Sequence, residues 1–593
     1  MYRNFSFRIT IASALILNLA NGPAILNAQQ ASADVPVITI RTSTRLVVVD
    51  VVVTDKKGQP KLGLKPEDFT IEENGKKQKI SVFAPPTAGT TPASAPVAVP
   101  PGVLSNHPEH IGPAGPPTVL LLDALNSPFK EQAYARSQML QYVAEQSQAG
   151  NPMAVVTLSD RLRVLQQFTT DPKILLAAIK NFRPQEQILA GSAPIVESSS
   201  SPDMGGGPGS GVGITLAIEQ ARAEVADFAN LQVGYNLERR TVITIDAMRS
   251  LTRMLGGLQG RKNVVWLTAD LPFDMIPEDR NMTDTELAAE LPGQGRQRSA
   301  ALNGAGSLAS ESRQLHGQEI KEAEADLASA NISIYPVDLR GLVGGMESSA
   351  AYSGAHNNDI HGAGLANAAT SQTNSLLASQ DTMREVAAET GGKVYINQNE
   401  VKQGVALAAA DSKASYSIGY YPENKKWDGK YRNIKVKVDQ GDTDVRYRKG
   451  YFAVDLTQIK DHNYEQDAAA ILTFNAPATQ VSFMAQAKPT EPGKVRVVFL
   501  VDAHTLTVED SGGSKKMNVV LYATMFGSNG KMLASHSTKI DKAFDAATYQ
   551  QIVDHGMMVP MDMDVPAGTK QLRLAVLDNK SGFIGAASGP IGQ

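Results

Sequence analysis

Four short apolar runs, at 118–123, 153–158, 263–268 and 332–337, are separated by stretches of helical character, and this alternation narrows the fold more than any other feature. Each run is dense in Val, Leu and Ile with no polar alternation, as a strand reads when both its faces are covered. Strands that alternate with helices pair in parallel and are packed by helices on both sides. Residues 118–454 are therefore expected to form a doubly wound, mostly parallel α/β sheet domain. One connection departs from the pattern. Ser159-Asp160 turns the chain straight into a strand at 162–168, which is too short for a crossover, so that pair should be an antiparallel hairpin. Thr170-Asp-Pro172 then opens a helix, with a capping residue ahead of a first-turn proline. Further helices are expected at 130–148, 214–257, 311–329, 381–390 and 400–411. Stretches at 190–213, 274–310 and 343–378 are rich in Gly, Ser, Asn or other polar residues. They are read as loops near the carboxyl edge of the sheet, where ligands of such sheets sit.

The flanks have other patterns. Residues 37–83 carry a β-branched strand at 46–53 and a hairpin signal at Glu73-Asn-Gly75. They are expected to form a small β domain, either a sandwich fragment or a sheet docked on a neighbour, because so few strands are marginal alone. Ten of the 34 residues at 84–117 are proline, which predicts an extended linker. Residues 470–593 show strands without helical partners and are expected to form an all-β sandwich. At the start, Arg3 and Arg8 precede a mostly apolar stretch over 9–20 and then small residues. A membrane span needs about 20 apolar residues, so 1–28 reads as a secretory signal peptide with cleavage near Ala28. The expectation is an exported chain without a transmembrane segment, in the periplasm, at the cell surface or outside the cell.

Composition closes several routes. Lys and Arg total 56 against 60 Asp and Glu, a net charge of −4. That balance gives no basic surface for general nucleic-acid binding. The chain has no cysteine, which excludes disulfides, thiolate-ligated zinc, iron–sulfur clusters and thiol nucleophiles. Gly205-Gly-Gly-Pro-Gly209 lacks the Gly-Lys-Ser/Thr ending of a phosphate loop, and neither Gly-x-Ser-x-Gly nor His-Glu-x-x-His occurs. No enzymatic chemistry is expected on these grounds.

What remains is a set of oxygen ligands. Asp123 ends the first strand and is followed by Ala124-Leu-Asn-Ser127, while Asp270 lies just beyond the 263–268 strand. If the two strands are parallel, both carboxylates stand at one sheet edge. Thr241 and Thr244 precede that strand, near the expected start of its helix, and can add a hydroxyl. Paired carboxylates with hydroxyls suit a hard cation such as Mg2+, which takes about six oxygens. The succession of strand-Asp, helix, strand hairpin, hydroxyl, helix, strand-Thr-x-Asp, helix and strand resembles a von Willebrand factor A (VWA) domain. The resemblance implies a metal-ion-dependent adhesion site built on Asp-x-Ser-x-Ser, a loop Thr and a later Asp. Carried onto this chain, Asp123 is the first Asp, Ser127 the last Ser, Thr244 or Thr241 the Thr, and Asp270 the later Asp. Leu125 stands where the middle Ser is expected, removing a hydroxyl and adding an apolar group, and Asn126 beside it can offer a carbonyl. The open metal position would take a carboxylate from a protein partner.

A narrower set of motifs resembles the VWFA-related proteins abundant in Acidobacteria. These are 49–58 (Val-Asp-Val-Val-Val-Thr-Asp-Lys-Lys-Gly), 64–69 (Leu-Lys-Pro-Glu-Asp-Phe) and 260–266 (Gly-Arg-Lys-Asn-Val-Val-Trp), with 335–341, 389–392 and 446–451. The expected function is an exported protein-binding or adhesion-type module with a degenerate metal site. The alternatives are a metal-dependent periplasmic hydrolase using Asp123 and Asp270, and a structural envelope scaffold without a ligand site.

Overall fold

The computed structural model describes residues 46–86, 99–111, 116–145, 152–185, 212–272, 305–341, 361–398, 401–441, 443–455, 462–511 and 513–591. The expected signal segment 1–28 and most of 190–213 and 274–310 lie outside the described residues.

The central sheet has five strands: β1 (Thr118–Asp123), β2 (Met153–Leu158), β3 (Leu162–Thr169), β4 (Lys262–Thr268) and β5 (Ile332–Asp338). Their spatial order is β5-β4-β1-β2-β3, parallel throughout except for the β2–β3 hairpin at one edge. Helices α1 (Phe129–Glu145), α2 (Pro172–Asn181), α3 (Val212–Leu255), α4 (Ala305–Ser329), α5 (His361–Thr390) and α6 (Val401–Lys413) connect or follow the strands. Successive side chains of a strand point to opposite faces. Val119 and Leu121 accordingly join a core with Met248 and Leu251 of α3, Leu327 of α4 and Val386 of α5. Leu120 and Leu122 join a second core with Met139 of α1, Ile179 of α2 and Ala408 of α6. Both faces of β1 are buried, which is why its sequence shows no alternation.

Two local expectations change. The loop expected over 343–378 is partly helix, since α5 begins at His361. Its first turns mix Gly and Asn with Ala, and the strong helix propensity of Ala outweighs the loop-like composition. Thr241 and Thr244, expected near a helix start, instead lie well inside the 44-residue α3.

The strand Val47–Asp55 runs between Ser415–Tyr420 and Thr443–Arg446, antiparallel to both. Phe69–Glu73 pairs with Tyr431–Val438, so residues 47–84 share their sheets with strands from 415–452. One apolar core containing Val49, Val51, Phe69, Tyr416, Ile418 and Val436 joins the two segments. In the last part of the chain, Phe483–Glu491, Lys494–Val501 and Met557–Asp564 form one sheet, and Ser514–Gly527, Thr569–Asp578 and Ile584–Pro590 belong to another. Their apolar faces share a core that includes Phe483, Val497, Phe499, Leu521 and Leu574. Two helices not expected there, Tyr464–Phe474 and Ala546–His555, pack beside these sheets. Within the proline-rich 84–117 stretch, Val103–Ser105 adds a strand to Phe483–Glu491. The buried Asn106 amide fixes it there, donating to the Ala478 and Val481 carbonyls and accepting from Phe483 N–H. Among the described residues, no helix is long and apolar enough to cross a membrane.

Candidate functional site

Parallel pairing of β1 and β4 brings Asp123, Thr268 and Asp270 to the same carboxyl edge of the sheet. Asp123 is almost completely buried. Its Oδ1 accepts from the backbone N–H of Leu125 at 3.1 Å and of Asn126 at 2.8 Å, which tightens the turn after β1. Its Oδ2 accepts from Asn126 Nδ2 and Trp266 Nε1, both at 2.9 Å, and lies 3.0 Å from Thr268 Oγ1. Thr268 Oγ1 is also 2.6 Å from the Asp270 carbonyl, so its single proton serves one of the two at a time. Burial pushes the Asp123 carboxyl above its ordinary value, against the opposing hydrogen bonds from Asn126, Trp266 and Thr268.

The other expected ligands are close by and already engaged. Ser127 Oγ accepts from Ala269 N–H at 2.9 Å, which ties the β1 loop to the β4 loop. Thr244 Oγ1 donates to the Arg240 carbonyl one turn back at 2.8 Å and accepts from Asn126 Nδ2 at 3.3 Å. Thr241 Oγ1 turns to the Leu237 carbonyl at 2.9 Å. Leu125 is buried and packs into the core shared with α3. Of the two threonines, Thr244 bonds Asn126, while Thr241 also reaches the Pro272 carbonyl, two residues past Asp270, at 3.3 Å.

The residue that organises the rest is Arg240, which sequence reasoning passed over. Its Nε donates to Asn126 Oδ1 at 2.9 Å, and one Nη donates to Asp270 Oδ2 at 2.8 Å. The Arg240 side chain is 15% exposed and that of Asp270 38%. Asn126 is a relay whose orientation is set by its neighbours, with its carbonyl facing the guanidinium and its amide nitrogen facing the Asp123 carboxylate. A signal was available. Arg240 and Thr244 are four residues apart, so a helix places a cation one turn from the hydroxyl expected to face a metal. The neighbouring strand end repeats the device. Asp338, at the end of β5, accepts from Arg340 Nε at 2.8 Å, from its Nη2 at 3.0 Å and from Gln380 Nε2 at 3.0 Å.

As arranged, these residues do not fit a divalent cation. Both Asp123 oxygens face N–H and O–H donors, both candidate hydroxyls are held by backbone groups, and a guanidinium bridges Asn126 to Asp270. Among the described residues, no group of three or more His, Asp or Glu is placed to hold a metal. The arrangement offers a rigid polar edge with one partly exposed ion pair.

No family model and no curated protein matches the sequence. Among solved structures, the chain is similar to a von Willebrand factor type A protein from Catenulispora acidiphila at 9% identity, covering 91% of this chain and 75% of that one, with a TM-score of 0.19. An aerotolerance-related membrane protein from Bacteroides fragilis, carrying multiple mutations to serine, is 11% identical and covers 50% of this chain and 100% of that one, with a TM-score of 0.23. An endonuclease/exonuclease/phosphatase from Beutenbergia cavernae is 8% identical over 31% of this chain and 38% of that one, with a TM-score of 0.12. The mixed α/β content with a largely parallel central sheet is consistent with a VWA-like fold.

Proposed function

We propose that the chain is an exported protein-binding module of adhesion type, in which the carboxyl edge of the central sheet is the contact surface. One observation carries this reading. Asp123, Thr244 and Asp270, drawn from three segments, meet at that edge in one hydrogen-bonded network whose outermost members are Arg240 and Asp270, and Ser127 ties the β1 loop to the β4 loop beside it. A fixed polar edge with a partly exposed carboxylate, backed by a mostly buried guanidinium, suits recognition of a complementary protein surface. No nucleophile–base pair or general acid is legible in the network, so it gives little support to hydrolysis. The basic and apolar start of the chain supports export, and the motifs shared with VWFA-related exported proteins support the same compartment.

The test is capture of exported proteins by the immobilised full chain, beside Asp270→Ala and Arg240→Ala. The expected result is a partner whose capture falls by about tenfold, roughly 1.4 kcal/mol, in Asp270→Ala while circular dichroism stays unchanged. Capture that is equal in all three proteins would remove the edge as the contact surface.

A further inference from the structure

We infer that the Arg240 guanidinium is the resident cation of this site, standing in for the divalent metal that the VWA resemblance implies. It joins the three segments that a metal would have joined. Asn126 comes from the β1 loop, Asp270 from the β4 loop, and Arg240 itself from α3, one turn ahead of Thr244. Leu125 fits the same account. With a guanidinium as the cation, a hydroxyl at 125 has no metal to ligate, and the side chain there is free to pack in the apolar core. Asn126 replaces ligation with relay, since its carbonyl accepts from the cation while its nitrogen serves Asp123 and Thr244. A guanidinium keeps its charge at every physiological pH and binds oxygens through a planar fork rather than an octahedron. The site is therefore permanently charged, independent of metal supply and indifferent to chelators. This inference concerns the site's cation and does not depend on any partner.

A metal-dependence measurement and a variant series, both on the full chain, test it. Mn2+ is titrated by electron paramagnetic resonance, and thermal melts are compared in chelator and in millimolar Mg2+. The expected result is no saturable uptake that Asp270→Ala abolishes, and the same melting midpoint in both solutions. One equivalent of Mn2+ bound by the native chain and lost in Asp270→Ala would overturn the inference. The variant series compares Arg240→Lys with Arg240→Met, alone and combined with Asp270→Asn. If the charge is what the site uses, the Lys variant melts higher than the Met variant, and the gap closes once Asp270 is neutral. Equal losses in Lys and Met, or a gap that persists with Asn at 270, would also overturn it.

Discussion

At the scale of single residues, Asp123 carries the most consequence. Every polar neighbour aimed at it brings a hydrogen, from the Leu125 and Asn126 backbone to the Trp266 indole. The isosteric Asp123→Asn would turn one acceptor into a donor facing donors in a dry site. Burial raises the carboxyl's pKa, yet a neutral amide is not an equivalent replacement, because what the site lacks is acceptors rather than neutrality. The expected outcome is a loss of about 2–4 kcal/mol in denaturant unfolding. A loss below about 0.5 kcal/mol would mean that these bonds contribute little to stability. Asp123 and Asp270 were legible in the sequence because a strand that ends in a carboxylate announces its own edge. Arg240 was not, because an arginine on a long helix reads as a solvated side chain until the topology brings residues 126, 240 and 270 together.

Among whole elements, α3 shows how tightly helix and sheet are fitted. At its carboxyl end, Gly257 N–H donates to Thr479 Oγ1 at 2.9 Å. A Cβ on Gly257 would lie 1.8 Å from the Thr479 carbonyl oxygen, so the helix end and the 478–479 strand approach at backbone distance. Gly257→Ala is expected to cost about 2–3 kcal/mol by pushing that junction apart. Gly234, inside the same helix, would meet nothing within 4 Å, so Gly234→Ala should instead stabilise by about 0.5–1 kcal/mol. Denaturation midpoints of the two variants measured side by side check both signs. The helices and strands of the central sheet were readable from apolar runs and their spacing. The neighbours of the outer strands were not. A period of two tells which face of a strand is buried but says nothing about which strand lies beside it, and the partners of Val47–Asp55 are hundreds of residues away. Val103–Ser105 was hidden for a simpler reason, since three residues between prolines carry no pattern at all.

Across the whole molecule, the α/β unit meets the final β region through charge. Arg253 pairs with Asp467 at 2.8 Å across this junction, beside His462 at 2.7 Å from the same carboxylate, and Arg249 pairs with Glu322 at 3.2 Å within the α/β unit next to it. Asp326 sits in this cluster, and burial pushes its carboxyl up to about 6, with Arg249 and Arg253 pulling it down and Glu322 adding to the rise. The folded chain thus holds a proton that the unfolded chain releases near its ordinary value. The stability this provides is full below that ordinary value and is lost as pH rises to about 6. Asp326→Asn should therefore raise stability by about 3 kcal/mol at about pH 7.5 and change it little near pH 3.5. Melts of both proteins across that range decide the matter, and an equal gain at both ends would rule out the proton as the cause. The layered strands outside the central sheet bear on something else, the order of events at the ribosome. Asp50, in an inner strand of its four-stranded sheet, bonds Ser417, 367 residues further along the chain. At synthesis rates of roughly 5–20 residues per second, the valine-rich strand waits about 20–70 s for its neighbours to exist.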